Sequence, residues 1–148
     1  MRFVVFLFIC FCFNYQFSFS QERVTEWEKF TSNNGFDVYY KYTNCDPSIG
    51  YDTQSILLWI QNTTNKKILV DWDMEIYYKN RCSTCQHGDE YNYRYILEPK
   101  QSLKGSCDIG SDSRLRVFSK FTDPQYKLSQ NEFTKFNFAN LKVTVLDF

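Results

Sequence analysis

The chain has 148 residues, and its 17 lysines and arginines balance its 17 aspartates and glutamates, so the formal net charge is zero. A balance this even implies no electrostatic attraction to nucleic acid or to a membrane surface. After the N-terminal segment, no apolar run approaches the ~20 residues needed to span a bilayer.

The first twenty residues have the pattern of a secretory signal peptide. Met1 and Arg2 give a basic start, residues 3–13 are apolar without interruption, and Ser18 and Ser20 stand at the small-residue spacing of a signal-peptidase site. This apolar run is too short for a bilayer core, which needs ~20 residues. We therefore expect residues 1–20 to be a signal peptide and residues 21–148 to form one secreted domain, periplasmic or extracellular.

Seven segments have the period-two alternation or apolar content of β-strands: residues 27–31, 36–43, 53–61, 67–78, 93–98, 114–121 and 133–148, the last giving one or two strands. Turn signals separate them, and no long amphipathic helix is visible. Two packed antiparallel sheets are the natural solution for such a pattern. We predict an all-β sandwich of seven or eight short strands, immunoglobulin-like, with a jelly roll as the alternative.

Two neighbouring segments are the most informative. The centre of segment 53–61 is apolar on both faces, which indicates a central strand covered on each side or a second surface that meets a partner. A short polar connection joins it to segment 67–78, which favours a hairpin between the two. The same connection holds Asn62, Thr63 and Thr64, a match to the N-glycosylation acceptor.

Segment 67–78 alternates strictly from Val70 onward. The predicted core face consists of Val70, Trp72, Met74 and Ile76. The polar face on the other side consists of Asp71, Asp73, Glu75 and Tyr77. Burial of the four apolar side chains is worth at most about 6–12 kcal/mol, comparable to a domain's net stability of ~5–15 kcal/mol. A charge at position 72 is therefore expected to abolish folding.

The carboxylates Asp71, Asp73 and Glu75 are ~6.6–6.8 Å apart along one strand face. That spacing is in the range used for glycoside hydrolysis, but such enzymes bring their carboxylates from different strands of a cleft. We therefore interpret the acidic face as structural. Its ion-pair partners would be Arg114, Arg116 and Lys120, which share one face of segment 114–121, if that strand lies beside it.

Four cysteines remain after signal cleavage: Cys45, Cys82, Cys85 and Cys107. In an exported domain they predict two disulfides. The Cys82–Cys85 spacing also suits zinc or redox sites, but no βαβ context is visible and exported thiols usually oxidise before they meet a metal. A bridge between Cys82 and Cys85 would constrain little, so we expect one of them to bond to Cys45 and the other to Cys107.

No nucleophile motif and no glycine-rich phosphate loop is present, so we predict no catalytic residues, no metal and no cofactor. The leading hypothesis is a non-catalytic, disulfide-stapled secreted sandwich that binds a protein partner or a cell surface. One alternative is a carbohydrate-binding module that uses exposed tyrosines and tryptophans. The other is a hydrolase using the acidic face. The tyrosines predicted to be exposed are Tyr39, Tyr77, Tyr78, Tyr91 and Tyr93.

Overall fold

A computed structural model describes residues 25–46, 52–126 and 132–146. The predicted signal peptide, residues 1–20, and its predicted cleavage site lie outside these residues. The described strands are β1 (Glu28–Asn33), β2 (Phe36–Cys45), β3 (Thr53–Asn62), β4 (Lys67–Tyr78), β5 (Arg81–Cys82), β6 (Asn92–Leu97), β7 (Ser102–Lys104), β8 (Arg116–Phe121) and β9 (Phe133–Leu146). Three short 3-10 turns lie between them, and no helix in the described ranges could cross a membrane.

The strands form two antiparallel sheets. In sheet A, β2 lies between β1 and β3, and the other edge of β3 pairs first with β8 and then with β7. In sheet B, β4 pairs with β9 on one edge and with β6 and β5 on the other. The predicted all-β, two-sheet sandwich is confirmed. Its first three strands are neighbours in one sheet, whereas the corresponding immunoglobulin sheet takes strands A, B, E and D.

The strand count is nine in the described residues, against seven or eight predicted. The two additional strands, β5 and β7, have only two and three residues. Segments this short are too brief to show alternation, so their residues were predicted as loop. The turn before β2 follows the sequence signal, because Asn34 and Gly35 both have positive φ, as a two-residue hairpin turn requires.

The predicted hairpin between β3 and β4 is wrong, because the two strands belong to opposite sheets. Both edges of β3 are already occupied, by β2 on one side and by β7 and β8 on the other. The short connection instead carries the chain across the sandwich. Asn62, which is 0% exposed, holds this crossover.

The core lies between the sheets and is centred on β4. Val70, Trp72 and Met74 are 0–1% exposed, which confirms the predicted inner face, and Ile76 is partly buried at the end of the strand. The Trp72 ring joins the two sheets. Its centroid lies 6.0 Å from that of Phe36 in β2, and it also packs on aromatic rings of β6 and β9 at 5.5 and 4.8 Å.

Two disulfides are present, as predicted, but the predicted outward pairing is wrong. Cys45 bonds to Cys107, and Cys82 bonds to Cys85. Cys45 ends β2 and Cys107 lies between β7 and β8, so both belong to sheet A. Cys82 lies in β5, which turns back on β4 in sheet B. The assignment of strands to sheets therefore separates the two pairs.

Candidate functional site

Aromatic side chains cluster on the outer face of sheet A. Tyr39 of β2 and Trp59 of β3 are register partners that point away from the core, and their rings stack with centroids 4.6 Å apart. Trp27, just before β1, packs edge-on against Trp59 at 5.7 Å. All three side chains keep part of their surface exposed. The outer face of β3 is thus an aromatic surface made by three successive parts of the chain.

Lysines lie over these rings. Lys104 of β7 is the register partner of Trp59, and its Nζ lies 4.0 Å from the centre of the Trp59 ring and 5.9 Å from that of Trp27. Lys41 of β2 places its Nζ 5.1 Å from the centre of the Trp27 ring. An ammonium group over an aromatic face is attracted by the ring's negative potential. The contacts therefore hold two positive charges beside the partly exposed tryptophans.

A third lysine on this face is neutralised. The Lys29 Nζ lies 2.8 Å from Oδ2 of Asp37. Asp37 Oδ2 also accepts a hydrogen bond from the Tyr39 hydroxyl, and Asp37 Oδ1 accepts one from the Ser32 hydroxyl. Burial raises the pKa of Asp37, but the hydrogen bonds from Lys29 and Ser32 outweigh it, and the pKa is lowered overall. Asp37 is therefore ionised at neutral pH and its charge is taken up by Lys29.

Three other cations of this face have no such partner in the part of the chain that the structure describes. Lys41 and Arg116 flank Leu57 in the register, and Leu57 is only 6% exposed although it points outward. Among the described residues, no carboxylate lies within ion-pair distance of Lys41, Lys104 or Arg116. We call the surface formed by these three cations with Trp27, Tyr39 and Trp59 the positive aromatic face.

An open pocket of about 360 Å³ lies next to the positive aromatic face, at the N-terminal end of β3. Arg116 belongs to both. Hydroxyl groups and the Cys45–Cys107 disulfide form much of its wall, and the full lining is Cys45, Thr53, Ser55, Cys107, Ser113, Arg116 and Phe118. The pocket thus offers one cation and several hydroxyl donors, a combination that suits an anionic group.

The three predicted carboxylates lie on the outer face of sheet B, where side chains of the same sheet engage two of them. Asp73 accepts hydrogen bonds from the side-chain amides of Asn92 at 2.9 Å and Asn140 at 2.7 Å, and these bonds lower its pKa. Glu75 Oε2 accepts from the Tyr77 hydroxyl at 2.9 Å and from an amide of β9 at 3.2 Å.

The predicted partners of this acidic face are wrong. Arg114, Arg116 and Lys120 lie in or just before β8, which belongs to sheet A. The register instead places Arg94 of β6 and Lys142 of β9 on either side of Asp71. The carboxylates stand in line along one strand, not across a cleft, and the pocket described above opens on the other sheet. This geometry gives no support to hydrolysis.

The five predicted tyrosines do not form one surface. Tyr39 lies on the outer face of sheet A, whereas Tyr77 lies on the outer face of sheet B. The Lys135 Nζ lies 4.7 Å from the centre of the Tyr77 ring. The Tyr78 hydroxyl donates to a carbonyl oxygen of β8 at 2.7 Å, and burial raises the pKa of Tyr78 to about 12. Tyr91 and Tyr93 are partly buried against the core. Three of the five thus contribute to packing.

Sequence reasoning missed most of the positive aromatic face. Trp59 carried a usable signal, because its strand is apolar on both sides and the side facing away from the core must meet something else. Lys41, Lys104 and Arg116 carried none. They are far apart in the sequence, and only the pairing of β2, β7 and β8 with β3 brings them together.

Comparison of the chain with protein-family models, curated proteins and solved structures found no match. On sheet B, Asp73 and Glu75 are hydrogen-bonded by their own sheet. On sheet A, Lys41 and Lys104 have no carboxylate partner among the described residues, and they lie over partly exposed rings.

Proposed function

We propose that the protein is a secreted, non-catalytic binding module whose positive aromatic face binds an acidic segment of a partner protein. The observation that supports this is the set of Lys41, Lys104 and Arg116, which have no described carboxylate partner. The two lysines lie over partly exposed tryptophan rings, and Arg116 stands beside Leu57 on the same sheet face. Tryptophan, tyrosine and arginine are the residues most enriched at binding hot spots. Complementary charge selects the partner and speeds the encounter.

The arrangement of the rings favours a protein partner over a neutral sugar. Sugars stack on open ring faces, but Tyr39 stacks on Trp59 and the Lys104 ammonium lies over the same ring at 4.0 Å. Trp27 meets Trp59 at an interplanar angle of 75°, so the two tryptophans form no flat platform. Carboxylates of an acidic segment would reach the lysines without displacing them. A surface spread over neighbouring strands also suits a protein interface.

The test uses the folded, disulfide-bonded protein and a short oligo-glutamate peptide as the probe. We expect a change in tryptophan fluorescence on binding, which weakens with added salt because exposed charges are screened. Lys104→Glu and Lys41→Glu should each weaken binding by about tenfold or more, equivalent to ~1.4 kcal/mol.

Lys142→Glu is the matched control, because it makes the same charge change on the outer face of sheet B, where Lys142 is exposed. It should leave binding unchanged. Heparin and a neutral oligosaccharide are titrated in parallel. Tighter binding of either glycan would favour the carbohydrate-binding alternative, and equal binding by Lys104→Glu and the unaltered protein would contradict the proposed face.

Secretion is part of the same proposal. Two disulfides suit an oxidising compartment, and residues 1–20 have the signal-peptide pattern. Exported protein should begin at Gln21, either free or cyclised to pyroglutamate. Intact-mass measurement of protein collected outside the cytoplasm tests this, and a chain that still begins at Met1 would contradict it.

A further inference from the structure

The two disulfides of this protein occupy different environments. Cys45 is 5% exposed and its bond to Cys107 spans 62 positions of the chain. Cys85 is exposed, and its bond to Cys82 spans only three positions. We propose that the Cys82–Cys85 disulfide is a thiol–disulfide exchange site at which a small-molecule thiol adds to Cys85 Sγ.

The loop that carries this disulfide is held in place without it. β6 pairs with β4 only as far as Asp73, and β5 begins its pairing at Tyr77, which leaves a gap along this edge of β4. The buried Thr84 hydroxyl fills the gap, since it accepts from the Ile76 N–H at 2.9 Å and donates to the Met74 carbonyl at 2.7 Å.

Ser83 adds two more bonds in the same place. Its N–H and its hydroxyl both donate to the Ile76 carbonyl, at 2.8 and 3.0 Å. Residues 83 and 84 therefore replace the strand that is missing beside the middle of β4. Because these bonds do not involve sulfur, opening the disulfide leaves the loop attached to sheet B.

The ring closed by the Cys82–Cys85 bond also adds less stability than the ring closed by Cys45–Cys107. A disulfide reduces the conformational entropy of the unfolded chain, and this effect grows with the logarithm of the loop length. The bond across three positions therefore contributes about half as much stability as the bond across 62. A disulfide that adds less stability and has one exposed cysteine suits reversible exchange better than a permanent structural role.

The surroundings of the two sulfurs determine the direction of attack. Cys85 is the exposed residue of the pair, Cys82 is partly buried, and the Cys85 N–H donates to Cys82 Sγ at 3.1 Å. An incoming thiolate forms a new S–S bond with Cys85 Sγ as the Cys82–Cys85 bond breaks, and the bonding electron pair leaves on Cys82 as a thiolate. The N–H donor stabilises that negative charge, which assists its departure. A second exchange by Cys82 reverses the step and releases the thiol.

The test exposes the folded protein to reduced glutathione at neutral pH, traps free thiols with N-ethylmaleimide and maps the products by peptide mass spectrometry. We expect glutathione on Cys85 and maleimide on Cys82. This bond should open at least about tenfold faster than Cys45–Cys107, because exchange requires access to the sulfur. The tryptophan bands of the near-UV circular dichroism should not change, because Trp72 lies in the core between the sheets.

The matched control replaces Cys82 and Cys85 together by serine, which should abolish the adduct and leave the tryptophan bands of the near-UV spectrum as before. Glutathione found on Cys82 would overturn the assignment of the attacked sulfur. Equal opening rates for the two disulfides would overturn the exchange site itself. A collapsed near-UV spectrum in the double variant would show that the loop needs its disulfide, which also overturns the proposal.

Discussion

Replacing Asn62 with alanine is expected to be among the most damaging single changes in this protein. The Asn62 Nδ2 donates to the carbonyl oxygens of Lys66 at 2.7 Å, Glu98 at 2.9 Å and Leu97 at 3.3 Å. Its Oδ1 accepts from the N–H and the hydroxyl of Thr64 at 2.9 and 2.7 Å. One buried side chain therefore folds the turn after β3 and ties it to the end of β6.

The expected loss follows from this count. Each hydrogen bond contributes a net ~1 kcal/mol, and buried groups left without a partner cost ~1–3 kcal/mol more. Some of the freed groups lie near solvent and will be hydrated, so we expect Asn62→Ala to lower the free energy of unfolding by about 3–5 kcal/mol. That is a large share of the ~5–15 kcal/mol typical of a domain.

Equilibrium urea unfolding followed by tryptophan fluorescence measures this change. Asn65→Ala is the matched control, because Asn65 lies in the same turn and is exposed. It should change the unfolding free energy by less than ~0.5 kcal/mol. A loss below ~1 kcal/mol for Asn62→Ala would refute the reasoning, because the side chain would then not hold the crossover.

Four further outcomes are expected. Because Asn62 is fully buried, a glycan on it is incompatible with the fold, and glycosidase treatment of secreted protein should not change its mass. Removing the Cys45–Cys107 disulfide should cost about 4 kcal/mol in urea unfolding, against about 2 kcal/mol for Cys82–Cys85. Trp72→Lys should abolish the cooperative transition, because the site is 0% exposed and offers a charge no partner. The pKa of Asp73 is lowered in the folded state, so its ionised form stabilises the fold. The unaltered protein should have a higher free energy of unfolding than Asp73→Asn above pH 3.8, by less than about 1 kcal/mol, and this difference should disappear as the pH falls further.

Local pattern was sufficient for the longer strands of this protein. Alternation has a period of two residues, so a strand such as β4 reveals its inner face within a few positions, and the predicted burial of Val70, Trp72 and Met74 is confirmed. The same pattern, repeated between turn signals, was enough for an all-β sandwich. Strands too short to alternate, β5 and β7, were not detectable in this way.

Which strands become neighbours was decided by the tertiary structure. The turn after Asn62 is short enough for a hairpin, but the edges of β3 were already taken and the side chain of Asn62 closes a crossover instead. That placement separated Cys45 and Cys107 from Cys82 and Cys85, and it gave the acidic strand neighbours other than those expected.

The positive aromatic face shows the same limit. Trp59 could be suspected from its own strand, whereas Lys41, Lys104 and Arg116 come from three other strands and meet only across β3. Alternation depends on the geometry of one strand, so it can be read from adjacent residues. Pairing depends on which edges are still free once the other strands have packed, and that is a property of the whole chain.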